Sequence, residues 1–270
     1  MACGSLLGCV EPARHAATVP AANPGEESRP LNIVPPVEVV PEAERQLDAI
    51  VRIVSDVSCT GTLIADDLVL TAHHCVAARG ADGEILSHDK KPSELAIELG
   101  GGYLPWGEVK VRAIVAPECG HVTGDGDIAI LVLARRLIGM PTLAVRLEAP
   151  PEAGKDSLAL HGFGRCAMSG DGVRRVARPS GGISSVGPGS FLARAGVCPG
   201  DSGGPVLSRK GEVIGVISAS AMDGNPYTVK PSRFTRVDVW PQLFSAAHEI
   251  SGGASPSELP PYGDCRAKKR

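Results

Sequence analysis

The octapeptide Cys198-Pro199-Gly200-Asp201-Ser202-Gly203-Gly204-Pro205 gathers three glycines and two prolines around one hydroxyl. Glycine admits backbone angles closed to other residues and lets neighbouring chain come close, so the segment reads as a tight turn. Pro205 then opens an apolar run rather than a helix. Short β-branched or apolar runs recur on both sides: Ala49 to Val54, Thr62 to Ile64, Leu68 to Thr71, Leu95 to Leu99, Val109 to Val115, Asp127 to Leu133, Ser157 to Leu160, Val213 to Ser218 and Ser232 to Val237. All are strand-sized, and turn residues such as Asp66-Asp67 separate them. No long helical pattern lies between them, which predicts an all-β barrel architecture. One helix is expected after Trp240, with Pro241 near its first turn, ending before Gly252-Gly253. Residues 10–36 are rich in Pro, Ala and Glu without periodicity and read as a linker or propeptide-like lead-in. The tail from Ser251 to Arg270 is rich in Pro, Gly and Ser and ends basic.

Composition narrows the function classes. The 270 residues carry 27 Lys and Arg against 30 Asp and Glu, a net charge of −3. That balance argues against nucleic acid as a partner, since a phosphate-tracking surface needs excess positive charge. With 43% hydrophobic residues the chain is globular, and with 3% aromatics its core must come from Val, Ile, Leu and Ala. No apolar run approaches the roughly 18 residues of a membrane span. Eight cysteines, an even number without any C-x-x-C pair, suggest disulfides and an oxidising compartment. Leu6-Leu7-Gly8-Cys9 resembles the end of a bacterial lipoprotein signal, which would lipidate Cys9 and attach the chain to a membrane. Only eight residues precede Cys9 and none forms a basic n-region, so either the true start lies upstream or the resemblance is chance.

Two further segments join the octapeptide. Cys59-Thr60-Gly61-Thr62-Leu63-Ile64 leads to Thr71-Ala72-His73-His74-Cys75, and Asp127-Ile128-Ala129-Ile130-Leu131 follows. Over about residues 50–250 the chain resembles the trypsin/chymotrypsin family of serine proteases, as a bacterial-type secreted member. The order His, Asp, Ser matters, because unrelated folds that use the same three residues place them in other orders. A serine hydroxyl is a weak nucleophile and needs a base within hydrogen-bond reach. Histidine takes and returns a proton near neutral pH, and a carboxylate must fix its tautomer. The resemblance implies Ser202 as nucleophile, His74 as general base and acid, and Asp127 as the orienting carboxylate. His74 is preferred over His73 because the family histidine directly precedes the cysteine; His73 reads as a packing or surface residue. Asp127 is preferred over Asp125 because only Asp127 is followed directly by the apolar run. Gly200 and Ser202 would supply the oxyanion N–H groups.

The implied fold is two six-stranded antiparallel Greek-key barrels with the active site between them and a short C-terminal helix. The barrels would span about 33–150 and 151–238 and the helix 239–250, giving a peptidase domain over 33–250. Residues 1–32 would precede it, and 251–270 would be a flexible tail. Asp201 matches the family residue that pairs with a new α-amino group after activation. The sequence departs from the pattern at Ile33-Val34-Pro35-Pro36, where prolines replace glycines and no Arg or Lys immediately precedes Ile33, so an internal cation is the alternative partner. Gly196 falls at the base of the primary specificity pocket, so no charge awaits Lys or Arg there. Ser218, Ser220 and Ser232 would form the walls, favouring small or medium apolar P1 residues. Cys59–Cys75 matches a family bridge, and Cys166 offers a substitute partner for Cys198. With Cys9 lipidated and Cys3 removed with the signal, Cys119 and Cys265 would remain as a third pair, although six cysteines allow about 15 connectivities.

The reading therefore expects an exported serine endopeptidase acting on protein or peptide substrates as a monomer, with no metal and no cofactor. Two rivals stand beside it. Gly200-Asp201-Ser202-Gly203-Gly204 also fits the G-x-S-x-G elbow of α/β-hydrolases, with Asp223 or Asp238 and His248 as partners. That fold needs a strand before the serine and a helix after it; Ala193 to Pro199 is a poor strand, and the Cys59–Cys75 segment stays unexplained. The other rival is a catalytically silent homologue that binds or regulates.

Overall fold

Strands dominate because the β-branched and leucine runs are short and turn residues punctuate them. The computed structural model describes residues 42–102, 104–120, 125–166, 172–221, 225 and 227–258. The lead-in with Cys9 and Ile33-Val34, and the tail with Cys265, lie outside the described residues. A short helix α1 (Glu42–Gln46) precedes β1 (Ile50–Val54), β2 (Ser58–Ala65) and β3 (Leu68–Thr71). One helical turn, α2 (His73–Val76), and the hairpin of β4 (Ala77–Arg79) and β5 (Ile85–Asp89) come next. Then follow β6 (Ala96–Leu99), β7 (Gly107–Val115) and β8 (Ala129–Leu133). Six of these close into an antiparallel barrel in the order β1-β2-β3-β8-β7-β6.

Pattern and burial agree strand by strand. On β7, Glu108, Lys110 and Arg112 face solvent while Val109, Val111 and Val115 are buried, the period-two signature of a half-buried strand. Strand β8 is buried along its whole length, Ala129-Ile130-Leu131-Val132-Leu133, and so reads as a continuous apolar run. Asp127 stands two residues before it.

The second sheet contains β9 (Ala159–Gly162), β10 (Val176–Arg178), β11 (Ser180–Val186), β12 (Ser190–Ala195), β13 (Pro205–Leu207), β14 (Val213–Ser220) and β15 (Lys230–Arg236). Its order is β10-β9-β13-β14-β15-β12-β11. The second unit of the expected fold is thus a curled half-barrel with seven strands where six were expected. The physical cause is Pro179. It is the sole residue between β10 and β11, lacks an N–H, and breaks one stretch into two strands. The first half pairs with β9 at one edge and the second with β12 at the other. Phe191 and Phe234, directly opposed on β12 and β15, stack with ring centroids 5.2 Å apart and centre this sheet's core.

Helix α3 (Pro241–Ser251) carries Pro at its first position, where the missing N–H is not needed. Its buried face, Leu243, Phe244, Ala246, Ala247 and Ile250, joins the core of the first barrel although it follows the second sheet in sequence. Arg112 of β7 holds its end, Nη2 donating to the Ile250 and Ser251 carbonyls at 3.1 and 3.2 Å. No helix among the described residues is long and apolar enough to cross a membrane.

Candidate active site

A disulfide and a buried carboxylate fix the histidine segment. Disulfide Cys59–Cys75 ties α2 to β2 with Cα atoms 6.1 Å apart. Asp127, fully buried at the mouth of β8, is the hub. His74 Nδ1 lies 2.8 Å from Asp127 Oδ2, and the His74 backbone N–H donates to Oδ1 at 2.9 Å. The Ser218 hydroxyl, from β14 in the other sheet, donates to Oδ2 at 2.5 Å. A buried carboxylate needs such donors to remain charged, and here they orient it against one imidazole.

The serine segment is pressed against this group by contacts only glycine permits. Gly203 has φ +83°, and a Cβ there would collide with the Thr71 hydroxyl and the Thr60 carbonyl. Its N–H donates to Ile217 O at 2.8 Å, while Thr60 N–H donates to Ser202 O at 2.8 Å. Cys75 Sγ lies 3.6 Å from Ser202 O and 3.9 Å from His74 Nε2, so the Ser202 backbone and the outer imidazole nitrogen flank one sulfur. Gly200 takes φ +102° and its carbonyl accepts from the Thr60 hydroxyl at 2.7 Å. Among the described residues, the N–H groups of Gly200 and Ser202 have no backbone or side-chain acceptor.

Asp201 turns inward. Arg178 Nε donates to its Oδ2 at 2.7 Å, and Arg178 Nη2 to Oδ1 at 3.2 Å. The Cys198 and Gly164 N–H groups complete the set at 2.8 and 2.7 Å. Burial pushes the Asp201 carboxyl up, while Arg178 and these N–H groups pull against it. A Cβ at Gly162 or Gly164 would collide with the carboxylate. The internal cation expected for Asp201 has an identity, Arg178, which sequence reasoning did not supply. The signal was faint: one arginine next to a proline, 23 residues away.

The remaining site residues fall around the end of the second sheet. Gly196 is buried just past β12, its N–H on the Pro179 carbonyl at 2.9 Å. Ser220 and Ser232 oppose each other on β14 and β15, their hydroxyl oxygens 2.7 Å apart. Ser218, expected on a pocket wall, directs its hydroxyl to Asp127 instead. Cys166 and Cys198 are disulfide-bonded, Cα atoms 5.4 Å apart. Cys119 is disulfide-bonded too, and its expected partner Cys265 lies outside the described residues. Cys59, His74 and Cys75 bring ligand-type atoms within 4.8 Å of one another. The two sulfurs are bonded to each other, which leaves no thiolate for a metal.

Comparison with known proteins identifies the family of the chain. The Trypsin family model matches residues 38–241. The cercarial protease of Schistosoma mansoni is 29% identical over 200 residues, covering 59% of this chain and 69% of that protein. Trypsin Tyr p 3.0101 of Tyrophagus putrescentiae is 31% identical over 205 residues, 66% of this chain and 68% of that protein. Among solved structures, neuropsin, a serine protease expressed in the limbic system of mouse brain, shares the fold. Its TM-score is 0.58 at 20% identity, with 76% of this chain and 96% of that chain covered. The chain belongs to the trypsin family of serine proteases.

Proposed function

We propose that this protein is a serine endopeptidase working through an acyl-enzyme. Ser202 Oγ attacks the scissile carbonyl carbon as His74 Nε2 takes its proton. The imidazolium is held by the Asp127 side chain. Negative charge on the former carbonyl oxygen is met by the N–H groups of Gly200 and Ser202, each worth about 3 kcal/mol in such a role. His74 returns the proton to the leaving amine nitrogen, leaving an ester on Ser202. Water then attacks that ester with His74 again as base, releasing the carboxylic acid. No step calls on a metal or organic cofactor.

The observation that carries this reading is the triple donation to buried Asp127 from His74 N, His74 Nδ1 and Ser218 Oγ. The hydroxyl pair Ser220–Ser232 narrows the primary pocket and Gly196 leaves it uncharged, which favours small or medium apolar P1 residues. The peptidase domain spans 33–250 in this reading, with a lead-in over 1–32 and a tail over 251–270. The disulfides suit an exported protein, and the Arg178–Asp201 pair supports a bacterial-type member.

The test is a series of peptide p-nitroanilides differing at P1, with Ser202→Ala as control. Hydrolysis should be fastest with Ala or Val and fall by about 10³-fold or more in the variant. Turnover that survives Ser202→Ala overturns the assignment.

A further inference from the structure

The residue beside the proposed general base does more than fill space. His73 has a side chain 1% exposed, and both of its ring nitrogens are engaged. Nδ1 lies 2.6 Å from the Cys119 carbonyl oxygen, and Nε2 lies 2.7 Å from Asp89 Oδ1 on β5. A carbonyl and a carboxylate both accept, so a ring N–H can donate on either side. Three segments distant in sequence thereby meet on one imidazole.

Two of those segments hold opposite halves of the proposed dyad. The His74 N–H that donates to Asp127 Oδ1 belongs to the His73–His74 peptide, so whatever fixes His73 fixes that donor. On the other side, the Cys119 sulfur and the Gly120 backbone lie tight against Gly126, the residue preceding Asp127. A Cβ on Gly126 would stand 2.7 Å from Cys119 Sγ, and one on Gly120 would collide with the Gly126 carbonyl. The His73 ring therefore grips α2 covalently and the Asp127 approach through Cys119 O. Asp89, whose side chain is 32% exposed, anchors the ring from behind.

We infer that His73 is a positioning residue: its imidazole bridges Cys119 O and Asp89 and so sets the His74–Asp127 geometry. The inference rests on the endopeptidase reading above. It specifies a consequence that packing alone does not. Loss of the bridge should lower the chemical step and leave substrate binding intact, because the specificity pocket lies in the other sheet.

The experiment compares His73→Ala, His73→Asn and Asp89→Asn in the full chain. The readouts are kcat and KM on a peptide p-nitroanilide with alanine at P1, the fraction labelled by a fluorophosphonate, and thermal unfolding. His73→Ala should lose about 10-fold or more in kcat with KM within about twofold. His73→Asn places an amide N–H where Nδ1 stood and should recover most of that loss. Asp89→Asn, at a partly exposed position, should fold and lose a smaller factor. A labelled parent enzyme whose kcat is unchanged in folded His73→Ala, or in Asp89→Asn where the alanine variant fails to fold, overturns the inference alone. Equal losses in the Ala and Asn variants at equal melting temperature also overturn it. A folded parent that takes no fluorophosphonate overturns the endopeptidase reading, and the inference with it.

Discussion

Arg178 Nε lies 2.7 Å from Asp201 Oδ2, and neither side chain reaches solvent. Removing one partner of a buried pair leaves a charge without compensation, at a cost of about 3–5 kcal/mol. Arg178→Met should therefore lower the melting temperature sharply. It should also lower kcat/KM, because Asp201 sits between Gly200 and Ser202. Arg178→Lys should recover only part of both, since an ammonium cannot reproduce the fork of a guanidinium. Thermal unfolding and peptide hydrolysis check this together; an Arg178→Met protein as stable and active as the parent would contradict it.

The same carboxylate accepts from Arg178 Nε and Nη2, Gly164 N and Cys198 N. Its acceptor sites are filled from within the chain, so an α-amino group is not needed there. Protein with the Asn32–Ile33 bond intact should hydrolyse peptide substrate at the same kcat/KM as protein cleaved at that bond. A rise of tenfold or more on cleavage would show that Asp201 exchanges partners.

Ser218 reaches Asp127 from the opposite sheet at 2.5 Å. A hydrogen bond to a buried charge contributes about 1.5–3 kcal/mol. Ser218→Ala should lower kcat by about 10–100-fold with a smaller change in KM. Asp127→Asn, which favours the wrong imidazole tautomer, should cost about 10⁴-fold. Steady-state kinetics distinguish the two; equal losses would mean that Ser218 does more than orient the carboxylate.

His161 on β9 is half-buried, and its Nδ1 has no partner among the described residues. Burial, helped by the positive charge of Arg175, holds its pKa below the ordinary 6.5. The folded protein thus resists a proton that the unfolded chain accepts. His161 contributes stability that is present above about pH 6.5 and is lost as pH falls below it toward the folded value. Asp56 and Asp156, lowered from 3.8, act with the same sign in a more acid range. His161→Gln should flatten the decline in melting temperature between pH 7 and 5. An unchanged slope would remove His161 from the acid response.

Much of the architecture was legible where residue type and burial coincide. Strand β8 is an unbroken apolar run, and Pro205 opens β13 as its sequence implied. Strand β11 was hidden for a physical reason. Ser180-Gly181-Gly182-Ile183-Ser184-Ser185 is polar and glycine-rich, with Ile183 as its one buried residue, so it reads as loop. The charged β4–β5 hairpin disguises itself likewise. Site residues carried by local motifs stood out, whereas Arg178 did not. Only the pairing of β10 with β9 brings it under Asp201. His73 looked incidental because its partners, Asp89 and Cys119, lie 16 and 46 residues away.

If His74, Asp127 and Ser202 act as one catalytic unit, a fluorophosphonate should react at Ser202 and only with His74 in place, which mass mapping of the treated protein reads out. One adduct per folded chain, located on Ser202 and abolished by His74→Ala, is the predicted result. A folded parent protein left unlabelled at Ser202, or labelled equally well without His74, would contradict it.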